Sequence, residues 1–378
     1  MKTLLIGIGA AGNKAAMSAI VNGIVEQEDV IIINSTSKDF PPEFEGTKII
    51  LSPNDTGCGK ERSVANDYAK SAIKNGKLNI EAVNKYTTII CITSVEGGTG
   101  SGATPIIAQF FNQVYRKNVH IIAFTGFEED VRGLGNTIEF FQEVDSNLIV
   151  QTIRNSAFLR LSGYNKFKAE QLANEEMCKR IRILTGQDFI ISEQNIDDTD
   201  ILKVSNTSGY MTVEHIMIDK PLVDQDDYNK LIKKMIYDSK STKSKNPCAL
   251  RIGAIFNIDP ATEDAIDYSF QSILDAYGFA YERFIQKQWD GKKEYIAFIV
   301  SGMQMPIEEM RAVYERYKQG TERVNKSADA FYNEMKGMAL ESVDKKFDMI
   351  KPAQSGLNIE DFLKQHESSS VNSKAEKR

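Results

Sequence analysis

Glu96-Gly97-Gly98-Thr99-Gly100-Ser101-Gly102 lies between an apolar, β-rich run, Thr87–Thr93 (TTIICIT), and a helical pattern over Thr104–Arg116. Four glycines in six positions, interrupted only by hydroxyl residues, do not suit a packing turn. Backbone of this kind forms a concave run of N–H donors, to which the Thr99 and Ser101 hydroxyls add, and phosphate oxygens fit that shape. A strand, a glycine loop and a helix in succession place the loop at a helix N-terminus, where the dipole also favours an anion.

A second glycine loop, Gly7-Ile8-Gly9-Ala10-Ala11-Gly12-Asn13, follows the apolar run Thr3–Gly7 and opens a helix over Ala10–Ile24. Taken alone it suggests a dinucleotide turn, with a tight strand-to-helix turn and close packing as the alternative. Further strands are expected at Val30–Asn34, Lys48–Leu51 and Val119–Thr125, and helices at Ser63–Lys74 and Asn136–Val150. Strands alternating with helices predict an α/β fold with a parallel sheet covered on both faces. Ligands then sit in the loops at the carboxyl ends of the strands. A third loop, Thr56-Gly57-Cys58-Gly59-Lys60, falls at that same end, and three such loops converging on one spot favour a polyphosphate. The Walker pattern GxxxxGK[ST] does not occur, which disfavours an ordinary P-loop NTPase.

Lys166–Leu184 predicts a long central helix with no internal breaker, followed by an acidic loop, Asn195–Asp200. Strands at Tyr210–Ile218, Leu250–Phe256, Phe279–Ile285 and Glu294–Val300, with a helix over Ala261–Ala276, make a smaller second α/β domain. Lys240–Asn246 (KSTKSKN) reads as a solvated connection. From Pro306 onward, Ile307, Met310, Tyr314, Tyr317, Val324, Ala328, Phe331, Met335 and Met338 recur at steps of three and four, with Thr321 in the gap. That is the stripe of a long C-terminal amphipathic helix, packed on its own body over the first half and free to meet a neighbour over the second. A short helix over Ile359–Gln365 precedes a flexible tail, Ser368–Arg378, ending in Lys374, Lys377 and Arg378. The expected divisions are 1–165, 166–200, 201–303, 304–347 and 348–378.

With 378 residues and 42% hydrophobic content, the chain is long enough for two domains with a real core. A net charge of −6 argues against a broad basic face, so no direct DNA binding is expected. Four separated cysteines without a CxxC pair suit free thiols in a reducing cytosol. Three scattered histidines make no metal site, and no apolar run is long enough for a membrane span, so a cytoplasmic protein is expected.

These loops resemble those of the tubulin/FtsZ family of GTP-binding proteins. G-G-T-G-S-G is similar to that family's phosphate loop, with Glu96 where its first glycine usually stands. Gly9, Ala10, Ala11, Gly12 and Asn13 match the first nucleotide loop, and Gly57-Cys58-Gly59 resembles the loop that faces the γ-phosphate. Phe127-Glu128-Glu129-Asp130-Val131-Arg132 is similar to the F-E-G-x-x-R stretch, which assigns Glu128 and Arg132 to the ribose and phosphates. Asn155 and Asn174 fall where the family reads the guanine edge, and Phe167 stands where it can stack on the base. The resemblance thus implies that residues 1–165 bind GTP or GDP, with Gly97, Gly98, Thr99, Gly100, Ser101 and Gly102 at the phosphates and Mg2+ as the accompanying ion.

Asn195-Ile196-Asp197-Asp198-Thr199-Asp200 resembles the family's N-x-D-x-x-D loop, which reaches from one subunit into the nucleotide site of the next. On that reading Asn195, Asp197 and Asp200 are catalytic, and hydrolysis is tied to head-to-tail assembly. The segment by itself also reads as an acidic solvated turn or a helix cap. A long helix after the second domain, with a Ser-rich basic end, resembles the TubZ branch, plasmid- and phage-borne tubulin relatives that move DNA. That implies a DNA-bound adaptor of the TubR type as partner of the tail, although three basic charges also serve as a solubilising end. A cell-division FtsZ or a phage-spindle tubulin is the alternative within the family. Outside it, an NAD-dependent oxidoreductase needs an acidic residue at the end of the second strand, where this chain has Asn34-Ser35-Thr36 and reaches Asp39 late. A purely structural polymer without turnover leaves Asp197 and Asp200 unexplained.

Overall fold

Among the described residues, short runs rich in isoleucine and valine fill the centre of a ten-stranded sheet. The computed structural model describes residues 2–187, 198–220, 222–242, 248–260 and 269–337. Six strands, β1 (Thr3–Ile8), β2 (Val30–Asn34), β3 (Thr47–Ile50), β4 (Thr88–Ser94), β5 (Asn118–Thr125) and β6 (Ile149–Arg154), pair in parallel in the order β3-β2-β1-β4-β5-β6. The sheet continues through β7 (Gly209–Met217), β10 (Tyr295–Met303), β8 (Ala249–Asn257) and β9 (Ala280–Gln288). At the junction β6 meets β7 over only two residue pairs, Ile149 with Gly209 and Val150 with Tyr210. β10 then runs antiparallel to both β7 and β8.

Both faces of the parallel half are covered, which is why its strands read as unbroken apolar runs. Leu4, Ile6 and Ile8 face α2 (Arg62–Lys74), α3 (Gly98–Tyr115) and α4 (Val131–Glu143), while Leu5 on the other face packs with α1 (Gly9–Val21) and α5 (Lys166–Thr185). The second half places α6 (Asp198–Ser205), α7 (Gln225–Tyr237) and α8 (Gln271–Tyr277) around β7–β10. The last helix, α9 (Ile307–Gly337), returns to the first half, where Met310 and Val313 are buried beside Leu134 and Ile138 of α4. Its residues from Glu322 to Lys326 are exposed. No helix among the described residues is long and apolar enough to cross a membrane.

Two expectations are corrected here, and one helix was missed. The helix expected over Asn136–Val150 runs over Val131–Glu143, and Ile149–Arg154 is a strand. Asp130 caps the helix early through Gly133 N–H, and Asp145 forms a turn by accepting from Asn147 N–H at 2.8 Å, which ends the helical pattern. Helix α7 was not anticipated, although Asp224 caps it and Tyr228, Ile232 and Met235 make a buried stripe at helical spacing. The Lys240–Asn246 stretch is not simply solvated, because Ser241 and Thr242 are buried. Thr242 N–H donates to Thr152 Oγ1 at 2.8 Å and its carbonyl accepts from Tyr210 O–H at 2.8 Å, closing polar gaps where the two halves meet. Residues 243–247 and 261–268, the latter part of the expected Ala261–Ala276 helix, lie outside the described residues, as do the Ile359–Gln365 helix and the tail.

The two halves are further joined by a buried ion cluster. Arg180 of α5, fully buried, donates to Glu176 Oε1 at 2.9 Å and to the Thr152 carbonyl at 2.9 Å. His215 of β7 lies 2.9 Å from the other Glu176 oxygen. Burial alone would raise the Glu176 pKa, but Arg180 and His215 hold it well below the usual carboxylate range.

His120 of β5 is buried, and burial lowers its pKa from 6.5 to about 4. The folded protein therefore keeps it neutral while the unfolded chain protonates it below about pH 6.5, so stability falls as pH drops from there to about 4. We expect a loss of roughly 3 kcal/mol over that window from this group. Urea midpoints at pH 7 and pH 4.5 should show a smaller difference in His120→Leu than in the wild type.

Candidate functional site

Gly9 sits at the turn from β1 into α1 with φ +78°, a conformation that side chains resist. A Cβ there would lie 3.0 Å from the Gly100 nitrogen, in the first turn of α3. Glycine at Gly9 thus lets the N-termini of α1 and α3 meet. Neither helix start has a side-chain cap, whereas Asp130, Asn165 and Asp224 cap α4, α5 and α7. Two sets of orphan N–H groups, each with the positive end of a helix dipole, point at one place.

That place is a cavity of about 330 Å³ at the carboxyl ends of the parallel strands. Gly9, Ala10 and Ala11 line it from the loop after β1, and Gly97, Gly98, Thr99 and Gly100 from the loop after β4. Gly57, Cys58, Gly59 and Lys60 line it from the loop after β3. Cβ atoms at Gly57, Gly59 and Gly97 would meet nothing within 4 Å, so these glycines face open space, not packed neighbours. The residues after β2 complete the wall with Asn34, Ser35 and Asp39. Ser35 Oγ lies 2.8 Å from Thr99 Oγ1, and Asn34 Nδ2 donates to Asp39 Oδ2 at 3.2 Å.

Other expected site residues stand elsewhere. α3 starts at Gly98, six residues ahead of the expected Thr104, so the glycine loop is itself the first turns of the helix. Ser101 is buried in that turn, and its hydroxyl donates to the Gly97 carbonyl and not toward the cavity. Gly12 and Gly102 serve packing, since a Cβ would lie 2.2 Å from the carbonyl oxygens of Ile92 and Arg62 respectively. Asn13 is fully buried, with neither amide atom partnered among the described residues. Asn155 is buried just after β6, also with an unpartnered Oδ1. Phe167 is exposed and Asn174 half-buried on α5, and neither lines the cavity. Asp200 lies on α6 and accepts from Lys203 Nζ at 2.8 Å. Asn195 and Asp197 lie outside the described residues.

Glu96 turns away from the cavity into the loop before α4. Its Oε1 accepts from Glu128 N–H at 2.9 Å, and its carboxylate occupies the space a side chain at Gly126 would need. Burial pushes the pKa of Glu96 up, and that of Glu128 likewise, although Arg316 of α9 pairs with the latter. Arg132 pairs with Glu61. Ser35 and Asp39 were not chosen from the sequence, and Lys60 was named there only as the last residue of the third glycine loop. The rule that ligands meet strand carboxyl ends points to the residues after β2 and β3. Asn136 was also missed. Its buried Nδ2 lies 3.0 Å from the Lys60 carbonyl, 3.1 Å from that of Glu96 and 3.3 Å from that of Gly97, and ties two loops together.

Residues 2–162 match the family model described as Tubulin/FtsZ family, GTPase domain. These residues form a Tubulin/FtsZ GTPase domain. Tubulin-like protein CetZ3 of Haloferax volcanii is 24% identical over 250 residues, which cover 58% of this chain and only 62% of that relative's length. The truncated-tail structure of Clostridium botulinum phage c-st TubZ superposes with a TM-score of 0.68 at 19% identity, covering 85% of this chain and 98% of the other. A GTPgS-bound protofilament of CetZ2 from Haloferax volcanii gives a TM-score of 0.67 at 15% identity, covering 86% and 99%. At these identities the likeness establishes the fold alone.

Gly97 and Gly100 separate affinity from stability. Gly97→Ala should melt within about 2 °C of the wild type and yet bind inorganic tripolyphosphate at least tenfold more weakly, because its methyl enters the cavity. Gly100→Ala should lower the melting temperature, since its Cβ would lie 2.4 Å from Thr93 Oγ1. Calorimetric titration and thermal melts of both variants check this.

Proposed function

We propose that the chain binds a guanine nucleotide in this cavity, assembles head to tail into filaments, and hydrolyses GTP where a neighbouring subunit completes the site. The convergence of two uncapped helix N-termini on one glycine-lined cavity carries the reading, because it suits a polyphosphate better than any other ligand. The family match and the fold likeness to a nucleotide-bound protofilament support it. On this reading Asn155, buried just after β6 with an unpartnered Oδ1, is the acceptor for the N–H edge of guanine. Phe167 offers a stacking face and Asn174 a second polar contact.

On this reading the cavity wall holds the phosphates, and the groups that activate water come from a neighbour. Asn195, Asp197 and Asp200 of the next subunit position the water that attacks the terminal phosphate, giving GDP and inorganic phosphate. Among the described residues no group of three or more His, Cys, Asp or Glu could hold a metal ion. Magnesium carried by the triphosphate needs only one or two carboxylates, and Asp39 on the wall fits that need. The work of the filament is plasmid or phage DNA partition in the cytoplasm, with Lys374, Lys377 and Arg378 engaging a DNA-bound adaptor of the TubR type. The long helix after the second half and the fold likeness to TubZ support that finer assignment.

Steady-state phosphate release should rise steeply with protein concentration, and the nucleotide that co-purifies should be guanine, not NAD. Equal turnover per subunit at every dilution would overturn the coupling. Asp197→Ala should abolish GTP hydrolysis while filaments still form and persist under negative stain. Removing residues 368–378 should spare polymerisation and weaken adaptor binding in a pull-down assay.

A further inference from the structure

Glu96 stands at the head of the phosphate loop, yet its side chain leaves the cavity altogether. The carboxylate fills the space beside Gly126, and a Cβ on Gly133 would lie 3.2 Å from Glu96 Cβ. Glycine at both positions lets Glu96 reach the loop between β5 and α4, where Oε1 accepts from Glu128 N–H at 2.9 Å. Glu128 has φ +57°, a left-handed conformation that a side chain resists. Such strain persists only where the surroundings over-determine it. Two bonds do so here: Glu96 takes the backbone N–H, and Arg316 of α9 takes the side-chain carboxylate.

Arg316 comes from a firmly seated element. α9 runs antiparallel to α4, with Tyr317 packed on Gly135 and Gly320 making room for Val131, and Met310 and Val313 are buried beside Leu134 and Ile138. None of Glu96, Glu128 and Arg316 lines the cavity. Glu96 nevertheless precedes Gly97, which does line it at the start of α3, and Asn136 Nδ2 holds the carbonyls of both, at 3.1 and 3.3 Å. A displacement of Glu96 therefore moves Gly97 or breaks these bonds.

We infer that Glu96 is a positioning residue for the nucleotide, and that α9 acts on nucleotide release through it along the line Arg316, Glu128, Glu96, Gly97. This rests on the proposed function above. With the line intact, the N–H groups at the start of α3 stay aimed at the phosphates and release is slow. Cutting it at either end lets the loop at Glu128 relax out of its strained conformation, Gly97 follows, and the nucleotide leaves faster. Both residues act through Glu128, so the second cut adds nothing to the first.

The test is displacement of fluorescent mant-GDP by excess GDP from the full chain, dilute enough to stay unassembled, followed by stopped flow. Glu96→Ala should release mant-GDP about tenfold faster, as loss of a buried acceptor implies. Arg316→Ala, at a half-exposed position, should release it about threefold faster. Glu96→Gln keeps the accepting oxygen and should stay within about twofold of the wild type, whereas Glu96→Met fills the same space without an acceptor and should match Glu96→Ala. The double variant Glu96→Ala/Arg316→Ala should be no faster than Glu96→Ala alone. Slow release in Glu96→Met, or a double variant in which the two effects multiply, overturns the inference while nucleotide binding stands. Wild-type release in Arg316→Ala overturns it too, and that arm decides even where a Glu96 variant fails to fold. A wild-type chain that binds no mant-GDP overturns the proposed function, and this inference with it.

Discussion

Two helices cannot ordinarily begin at the same point. Each N-terminus presents unsatisfied N–H groups and roughly half a positive charge, so bringing two together is unfavourable until something negative joins them. Here β1 and β4 are neighbours in the sheet, and the helices that follow them converge at Gly9 and Gly100. Capping side chains would relieve the strain internally, and both positions lack them. On the proposed reading, a bound anion offsets that cost. Every other part of the site is arranged around that junction: the loop after β2 closes one side, and the loop after β3 lies across Gly98.

Helix α4 supports this arrangement without lining it. Asp130, Arg132 and Asn136 hold the 57–61 stretch, and Asn136 also binds the carbonyls of Glu96 and Gly97. The helix is braced in turn by α9, where Tyr317 packs on Gly135, Arg316 pairs with Glu128 and Gly320 leaves room for Val131. Glu96 joins the same support, since its carboxylate binds the loop leading into α4. A residue that departs from the phosphate-loop pattern in sequence therefore serves to anchor that loop in space. Through these contacts the C-terminal helix is continuous with the loops that wall the cavity.

Much of the first half was legible because burial on both faces leaves nothing but apolar residues in a strand. Val30–Asn34 is an example, matching the expected bounds. The β6 strand was hidden for the same reason. Ile149 and Val150 continue the apolar character of α4, and only the Asp145 turn separates the two elements. α7 escaped notice although its cap and stripe were both present in the sequence. Polar residues of the second half misled in the opposite direction, since Ser241 and Thr242 are buried to satisfy groups contributed by β6 and β7. Their partners lie far away in the chain, where no local pattern reaches.

The sequence by itself determined the strand–helix alternation, the three glycine loops and their common end of the sheet, because these follow from side-chain periodicity and from where backbone can approach an anion. Only the tertiary structure decided which atoms face the cavity. Ser101 turned inward because its hydroxyl meets a carbonyl one helical turn back, and Ser35 and Asp39 entered through strand neighbours remote in sequence. Direction is set by packing against distant neighbours, and that information is absent from any single stretch of chain.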